Sequence, residues 1–111
     1  MNEQDKADML NELTTELGIT EEVDSALLVS KLNNAIRDVI RAVNYPSSYT
    51  DKMVEKDLKK YYGNIHDLTM YDYNQTGAEG EKSHSENGTS RTWKDRKECF
   101  NGIVAFACGL L

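Results

Sequence analysis

With 111 residues, 39% of them hydrophobic and only 8% aromatic, the chain has material for one small domain that buries roughly 65% of its unfolded surface. Its net charge of −6 excludes a broad basic face for nucleic acid, because phosphate contact needs clustered Lys and Arg. Cys99 and Cys108 lack a CxxC spacing, the opening MNEQDKAD is unlike a secretion leader, and no apolar run approaches a membrane span of roughly 18 residues. Reduced, partly buried thiols in a chain made and used in the cytosol are therefore expected.

Met9, Leu10, Leu13 and Leu17 recur at spacings of three and four, which predicts a one-sided helix over residues 3–17. Asn2 is placed to cap its start and Gly18 to end it in the left-handed conformation. Thr20 is the expected cap of a second helix over residues 21–44, with Glu21 and Glu22 at its positive end. Along that helix Leu28, Leu32, Ala35 with Ile36, Val39 and Val43 keep one apolar stripe, widened by Val23, Leu27 and Ile40. It stops at Tyr45-Pro46, since the residue before a proline is pushed out of helical geometry.

A third helix is predicted over residues 51–73, starting at Thr50-Asp51 and carrying Met53, Val54, Leu58, Tyr61, Ile65 and Leu68. Gly63 inside it costs roughly 1 kcal/mol against alanine and marks a close helix–helix approach or a local bend. Lys56, Lys59 and Lys60 are offset by Asp51, Glu55 and Asp57, a solvated face. A short fourth helix is expected over residues 93–106, where Trp93, Lys97, Phe100 and Val104 share a face. The fold class is thus all-α: one domain over residues 1–111, a bundle of about four helices. A long glycine-rich arm, residues 75–92, projects between the third and the last.

That arm belongs to the stretch YNQTGAEGEKSHSENGTSRTW, residues 73–93, which holds almost nothing that could be buried. Ser83, His84, Ser85 and Glu86 contain the letters of a hydrolytic triad, but consecutive side chains point apart and cannot form its hydrogen-bond relay. Gly80-Glu81-Lys82-Ser83 lacks the glycine and lysine order of a phosphate loop. His66 and His84, with Asp67 and Glu79, have no ligand spacing that would hold a metal. Neither catalytic residues, nor a metal, nor a cofactor is expected. The tyrosines at 45, 49, 61, 62, 71 and 73 are read as core for some and subunit contact for others. Trp93 beside Arg91 either plugs the bundle where the arm re-enters or anchors an interface, and a lone tryptophan favours the plug.

Asn74, Gly77, Glu79, Gly80, Ser83, His84, Ser85, Gly88, Ser90 and Trp93 stand in an ordered pattern, YN-x-x-G-x-EG-x-x-SHS-x-x-G-x-S-x-x-W. Upstream lie the Tyr45-Pro46 pair and a tyrosine-bearing helix. Together they resemble the signature of the head–tail connector proteins of long-tailed bacteriophages. The resemblance implies a structural virion protein, an α-helical adaptor in a homo-oligomeric ring (a dodecamer) beneath the portal protein. It would close the DNA-filled head and dock a stopper or tail-completion protein. Its place would be the head–tail interface of the virion, after assembly in the host cytoplasm. Phage DNA would pass its channel without sequence-specific binding, and no membrane would be involved.

Subunit or partner contacts are then expected from Gly77, Glu79, Gly80, Glu81, Ser83, His84, Ser85, Gly88, Arg91 and Trp93, and from Phe106, Leu110 and Leu111 in the apolar tail. The tail departs from the pattern: relatives often carry a proline after the tryptophan and a polar end, whereas this chain reads GIVAFACGLL. A ring needs one surface to meet a different surface next door, and an arm opposite a helical groove supplies such a pair. An acidic channel lining would repel phosphate and let the genome pass. The alternative reading is a small helical regulatory or scaffolding module, which would form no ring and bind no portal.

Overall fold

A computed structural model describes residues 1–77 and 95–107. The first helix, α1 (Glu3–Leu17), starts on a reciprocal cap. Asn2 Oδ1 accepts the Asp5 N–H at 2.8 Å, and Asp5 Oδ2 accepts the Asn2 N–H at 3.1 Å. Gly18 ends it at φ 67°, a left-handed conformation that glycine adopts without strain. The second helix, α2 (Glu22–Val43), stops at Asn44, also left-handed at φ 59°, just ahead of Tyr45-Pro46. Its cap is Glu21, which makes no side-chain capping bond, and not Thr20 as expected. Ile19 packs against the core, so residues 18–21 are spent on the connection and the helix starts one residue late. Acidic Glu22 and Asp24 still occupy its positive first turn.

The third rod is not one helix. It comprises α3 (Asp51–Leu58), a single 3₁₀ turn over Lys59–Tyr61, and α4 (Tyr62–Gly77). Thr50 caps α3 as expected, its hydroxyl accepting the Met53 N–H at 3.2 Å. The 3₁₀ turn brings residues three apart onto one side, and Leu58 and Tyr61 are both buried there. That tighter winding keeps the two in one stripe with Ile65 and Leu68. Gly63 is not a close-approach site: it is exposed, and nothing lies within 4 Å of the position a Cβ would take. Beyond residue 73, α4 continues to Gly77, so the first residues assigned to the arm are helical.

Three contacts fix how the rods run. Lys59 Nζ lies 3.8 Å from Asp5, the Tyr62 hydroxyl donates to Glu12 at 3.2 Å, and His66 Nε2 meets Glu16 at 2.9 Å. The partners ascend together, so α1 runs parallel to α3–α4 with α2 antiparallel between them. The core draws Met9 and Leu13 from α1, Leu28, Leu32, Ala35, Val39 and Val43 from α2, and Leu58, Tyr61, Ile65 and Leu68 from the third rod. Of the stripe expected on α2, Leu28, Leu32, Ala35, Val39 and Val43 are buried and Leu27, Ile36 and Ile40 half-buried, while Val23 is 74% exposed and widens nothing. Thr69, also buried, donates its hydroxyl to the Ile65 carbonyl at 2.7 Å. Among the described residues every buried side-chain N or O has a partner, as a well-formed interior requires.

Among the described residues the expected fourth α-helix does not form. Arg96–Phe100 form a 3₁₀ segment started by Asp95, whose carboxylate accepts the Lys97 N–H at 2.8 Å. Asn101 then turns extended and Gly102 sits at φ 91°. The cause is a long-range competitor for the backbone. The Asn64 amide donates to the carbonyls of Cys99 and Asn101, each at 2.8 Å, which holds them against α4. Past Gly102 an extended strap runs back along α4. Contacts from the 3₁₀ segment and the strap descend that helix and reach the turn before it, from Asp72 through Asn64 to Tyr61. Lys97, Phe100 and Val104, three of the four residues expected to share a helical face, do not form one: Cys99 is the buried residue, and Val104 is 71% exposed. Trp93 lies outside the described residues.

Candidate interaction site

The 3₁₀ segment and the end of α4 meet at a charged clamp. Arg96 Nε donates to Asp72 Oδ1 at 2.8 Å, and Nη2 donates to Asp72 Oδ2 at 2.8 Å and to Asp38 Oδ2 at 2.7 Å. The fork of guanidinium on carboxylate gives direction as well as attraction. Asp72 foremost, with Asp38 beside it, stabilises the guanidinium charge and raises its pKa despite partial burial. The guanidinium also lies 5.8 Å from the Phe100 ring centroid. One side chain of the 3₁₀ segment thus joins α2 and α4 directly below the point where α4 ends at Gly77.

The far end of the strap carries Phe106. Its N–H donates to the Val43 carbonyl at 2.8 Å, and its carbonyl accepts from Asn44 Nδ2 at 3.3 Å. One of the carbonyls left open at the end of α2 is thereby occupied. The Phe106 ring sits 5.7 Å from Tyr45 and 5.2 Å from Tyr49, and those two tyrosines lie 5.4 Å apart, a tilted cluster of three. Tyr45 in turn donates its hydroxyl to Asp57 at 2.7 Å. Burial foremost, then Asp57, raises the Tyr45 pKa. Burial pushes the Asp57 carboxyl up, but the Tyr45 hydroxyl and the Lys60 ammonium together hold it below its ordinary range. Phe106→Ala should therefore cost the free subunit about 1–2 kcal/mol, less than a fully buried phenylalanine, because the ring is half-buried. Thermal unfolding of the isolated chain checks this, with an expected fall of roughly 4–8 °C. An unchanged melting temperature would assign Phe106 wholly to contacts outside the subunit.

Along the other edge, the α1–α4 seam is a polar ladder. His66 is half-buried and touches carboxylates on both sides, Glu16 at 2.9 Å and Asp67 at 3.2 Å. Among the described residues no group of His, Cys, Asp and Glu is arranged to hold a metal. Burial, and after it the Glu12 carboxylate, pushes the Tyr62 hydroxyl from 10.0 up to about 12. A folded value above the unfolded one stabilises fully below pH 10 and is lost as pH rises through 12. Melting temperatures taken across that interval should fall more steeply for the wild type than for Tyr62→Phe. Parallel slopes would remove Tyr62 from the alkaline transition.

Of the contact residues expected from the sequence, Gly77 is the last residue of α4 and Phe106 is seated on its own chain. Glu79, Gly80, Glu81, Ser83, His84, Ser85, Gly88, Arg91, Trp93, Leu110 and Leu111 lie outside the described residues, as does Cys108. Cys99 is a free thiol, 2% exposed, and burial, then Asp67 and Asp72, pushes its pKa up to about 11. It remains protonated, and so unreactive, at neutral pH. Sequence reasoning missed Arg96, Asp72, Asp38 and Asn64. Their partners lie 24 to 58 residues away, and the only local hint is an acid between two tyrosines at Tyr71-Asp72-Tyr73.

The chain matches the family model of the phage gp6-like head–tail connector proteins over residues 7–104. That span covers all the helices but the first turn of α1, and it includes the clamp and most of the strap. No curated protein and no solved structure matches the chain. No helix among the described residues is long and apolar enough to cross a membrane.

Proposed function

The chain belongs to the phage gp6-like head–tail connector family, and from that premise we propose that it forms a ring under the portal, closes the DNA-filled head and docks the stopper or tail. The family is one of structural connectors, so a place in the virion and contacts with head and tail components follow from membership. The ring and its particular partners are our reading. The observation that carries it is the extent of the match: it takes in the bundle together with the segment between Gly77 and Asp95 that bears the SHS pattern.

The geometry supports this reading in one respect. A ring subunit must offer two unlike surfaces. Here α4 stops at Gly77 and the 3₁₀ segment begins at Arg96 at the same end of the bundle, where Arg96 bonds Asp72. The three-rod body remains to supply the receiving surface. Residues 79–91 contain no aliphatic residue and no Phe, Tyr or Trp, so they suit a hydrogen-bonded contact better than a core. The test is co-sedimentation of the purified chain with the portal, together with tryptic cleavage at Lys82 and Arg91. Co-migration, with cleavage suppressed in the complex relative to the free chain, is the expected result. Independent migration of chain and portal would overturn the proposal.

A further inference from the structure

We infer that adjacent subunits meet body to body, the exposed face of α3 around Met53 on one copy docking on the exposed start of α2 around Val23 and Val29 on the next. The inference rests on the ring-forming role proposed above and adds a pair of surfaces to it. Val23, Met53 and Val29 are 74%, 44% and 40% exposed, three of the four large apolar side chains that the described residues leave in water. Singly such residues are ordinary. Here they fall into two groups with opposite charged surroundings. Val23, Ala26 and Val29 recur every three residues on the side of α2 away from its buried stripe, all exposed, and Glu21 and Glu22 border them at the start of the helix. Met53 is flanked on α3 by Lys52 and Lys56, both exposed.

Among the described residues, none of these four charged side chains is paired within its own chain. Lys59 and Lys60, by contrast, are taken up by Asp5 at 3.8 Å and Asp57 at 3.0 Å. The helix dipole accounts for Glu21 and Glu22 at a positive helix end. It does not account for Lys52, which stands in the first turn of α3, where a cation is disfavoured. Asp51 and Glu55, each one residue back from a lysine, lie about 100° round the helix on an adjoining edge. The two groups also stand at opposite ends of the body. α3 adjoins the end of α2, through the Tyr45 hydroxyl on Asp57 at 2.7 Å, and the start of α1, through the Met1 amine on the Glu55 carbonyl. The start of α2 lies 22 residues, or about 33 Å, from its end. One chain therefore cannot bring its own two groups together, whereas a second copy offers each group its complement. A surface that meets a different surface is the contact a closed ring requires. The valines and Met53 supply apolar burial, and lysines opposite glutamates set orientation and partner choice.

The experiment reverses the charge of each end separately and then of both in one chain: Lys52→Glu with Lys56→Glu, Glu21→Lys with Glu22→Lys, and all four together. Thermal melting and sedimentation with and without portal are the readouts. All four positions are exposed, so the variants should melt within a few degrees of the wild type. Each two-residue variant should need at least about tenfold more protein than the wild type to form rings, because like charges then face each other. The four-residue variant should assemble like the wild type, since every junction again joins opposite charges. A folded two-residue variant that assembles like the wild type overturns the inference alone. So does a four-residue variant that stays folded yet unassembled, because the two surfaces then do not meet each other. Should the glutamate reversals unfold the chain, the salt response of the wild type decides. Ring formation should need more protein as salt rises from about 50 to about 500 mM, and indifference to salt overturns the inference. A wild type that forms no ring in either condition overturns the proposed function and takes the inference with it.

Discussion

Leu32→Asp is expected to abolish cooperative folding. Leu32 lies midway along α2 and is 1% exposed, between Leu28 and Ala35 in the stripe that packs on the third rod. The substitution forfeits about 2–3 kcal/mol of apolar burial. It also leaves a carboxylate with no partner, which must either stay charged in a low-dielectric site or take up a proton, at a cost of several kcal/mol more. A domain of this size has a total stability on the order of 5–15 kcal/mol, so the sum consumes most or all of it. The neighbouring Asn33 is exposed, and Asn33→Asp should change stability by less than about 0.5 kcal/mol. Circular dichroism melts of the two variants make the comparison. A cooperative Leu32→Asp transition within a few degrees of the wild type would show that the buried face of α2 has been misassigned.

The opposite pattern is expected when residues 79–91 are replaced by a Gly-Ser sequence of equal length. That segment has no aliphatic residue and no Phe, Tyr or Trp to withdraw from water, and equal length keeps the closure entropy of the loop nearly constant. Melting should shift by no more than about 0.5 kcal/mol equivalent. Ring formation should be lost, because the ordered pattern from Glu79 to Ser90 is where the contact is proposed. Arg96 and Trp93 are untouched by this change, so neither the clamp nor a tryptophan plug can account for the loss. Sedimentation of the variant with portal reads the outcome. Normal assembly would move the contact to another surface, and early melting would place the segment in the fold itself.

Local rules carried the sequence reading as far as local causes reach. Asn2, Gly18 and Thr50 act through bonds to residues three or four positions away, and the apolar stripe of α2 needs only helical period and burial. The readings that failed were decided elsewhere in the chain. Residues 96–107 have enough apolar periodicity for a helix, yet the amide of Asn64, more than thirty positions upstream, takes two of their carbonyls. Gly102 completes the diversion. Phe106 looked like a residue reserved for a partner because it sits in an apolar tail. The pair that receives it, Tyr45 and Tyr49, was visible only as two more tyrosines. The break at Lys59–Tyr61 was anticipated near Gly63 for the wrong reason: it comes from aligning Leu58 with Tyr61, and the glycine faces open space. The clamp was illegible for the same cause as the strap, since Arg96 is defined by carboxylates on two other helices. The connector resemblance was legible because it resides in the order of residues in one continuous stretch.

The central claim is that this chain is a ring-forming connector, and imaging of the purified wild-type chain mixed with its portal tests it most directly. Negative-stain class averages should show a closed ring of the chain stacked coaxially on the portal ring, absent from portal alone. Portal rings bare of added density, with the chain remaining a monomer in the same mixture by mass photometry, would contradict it.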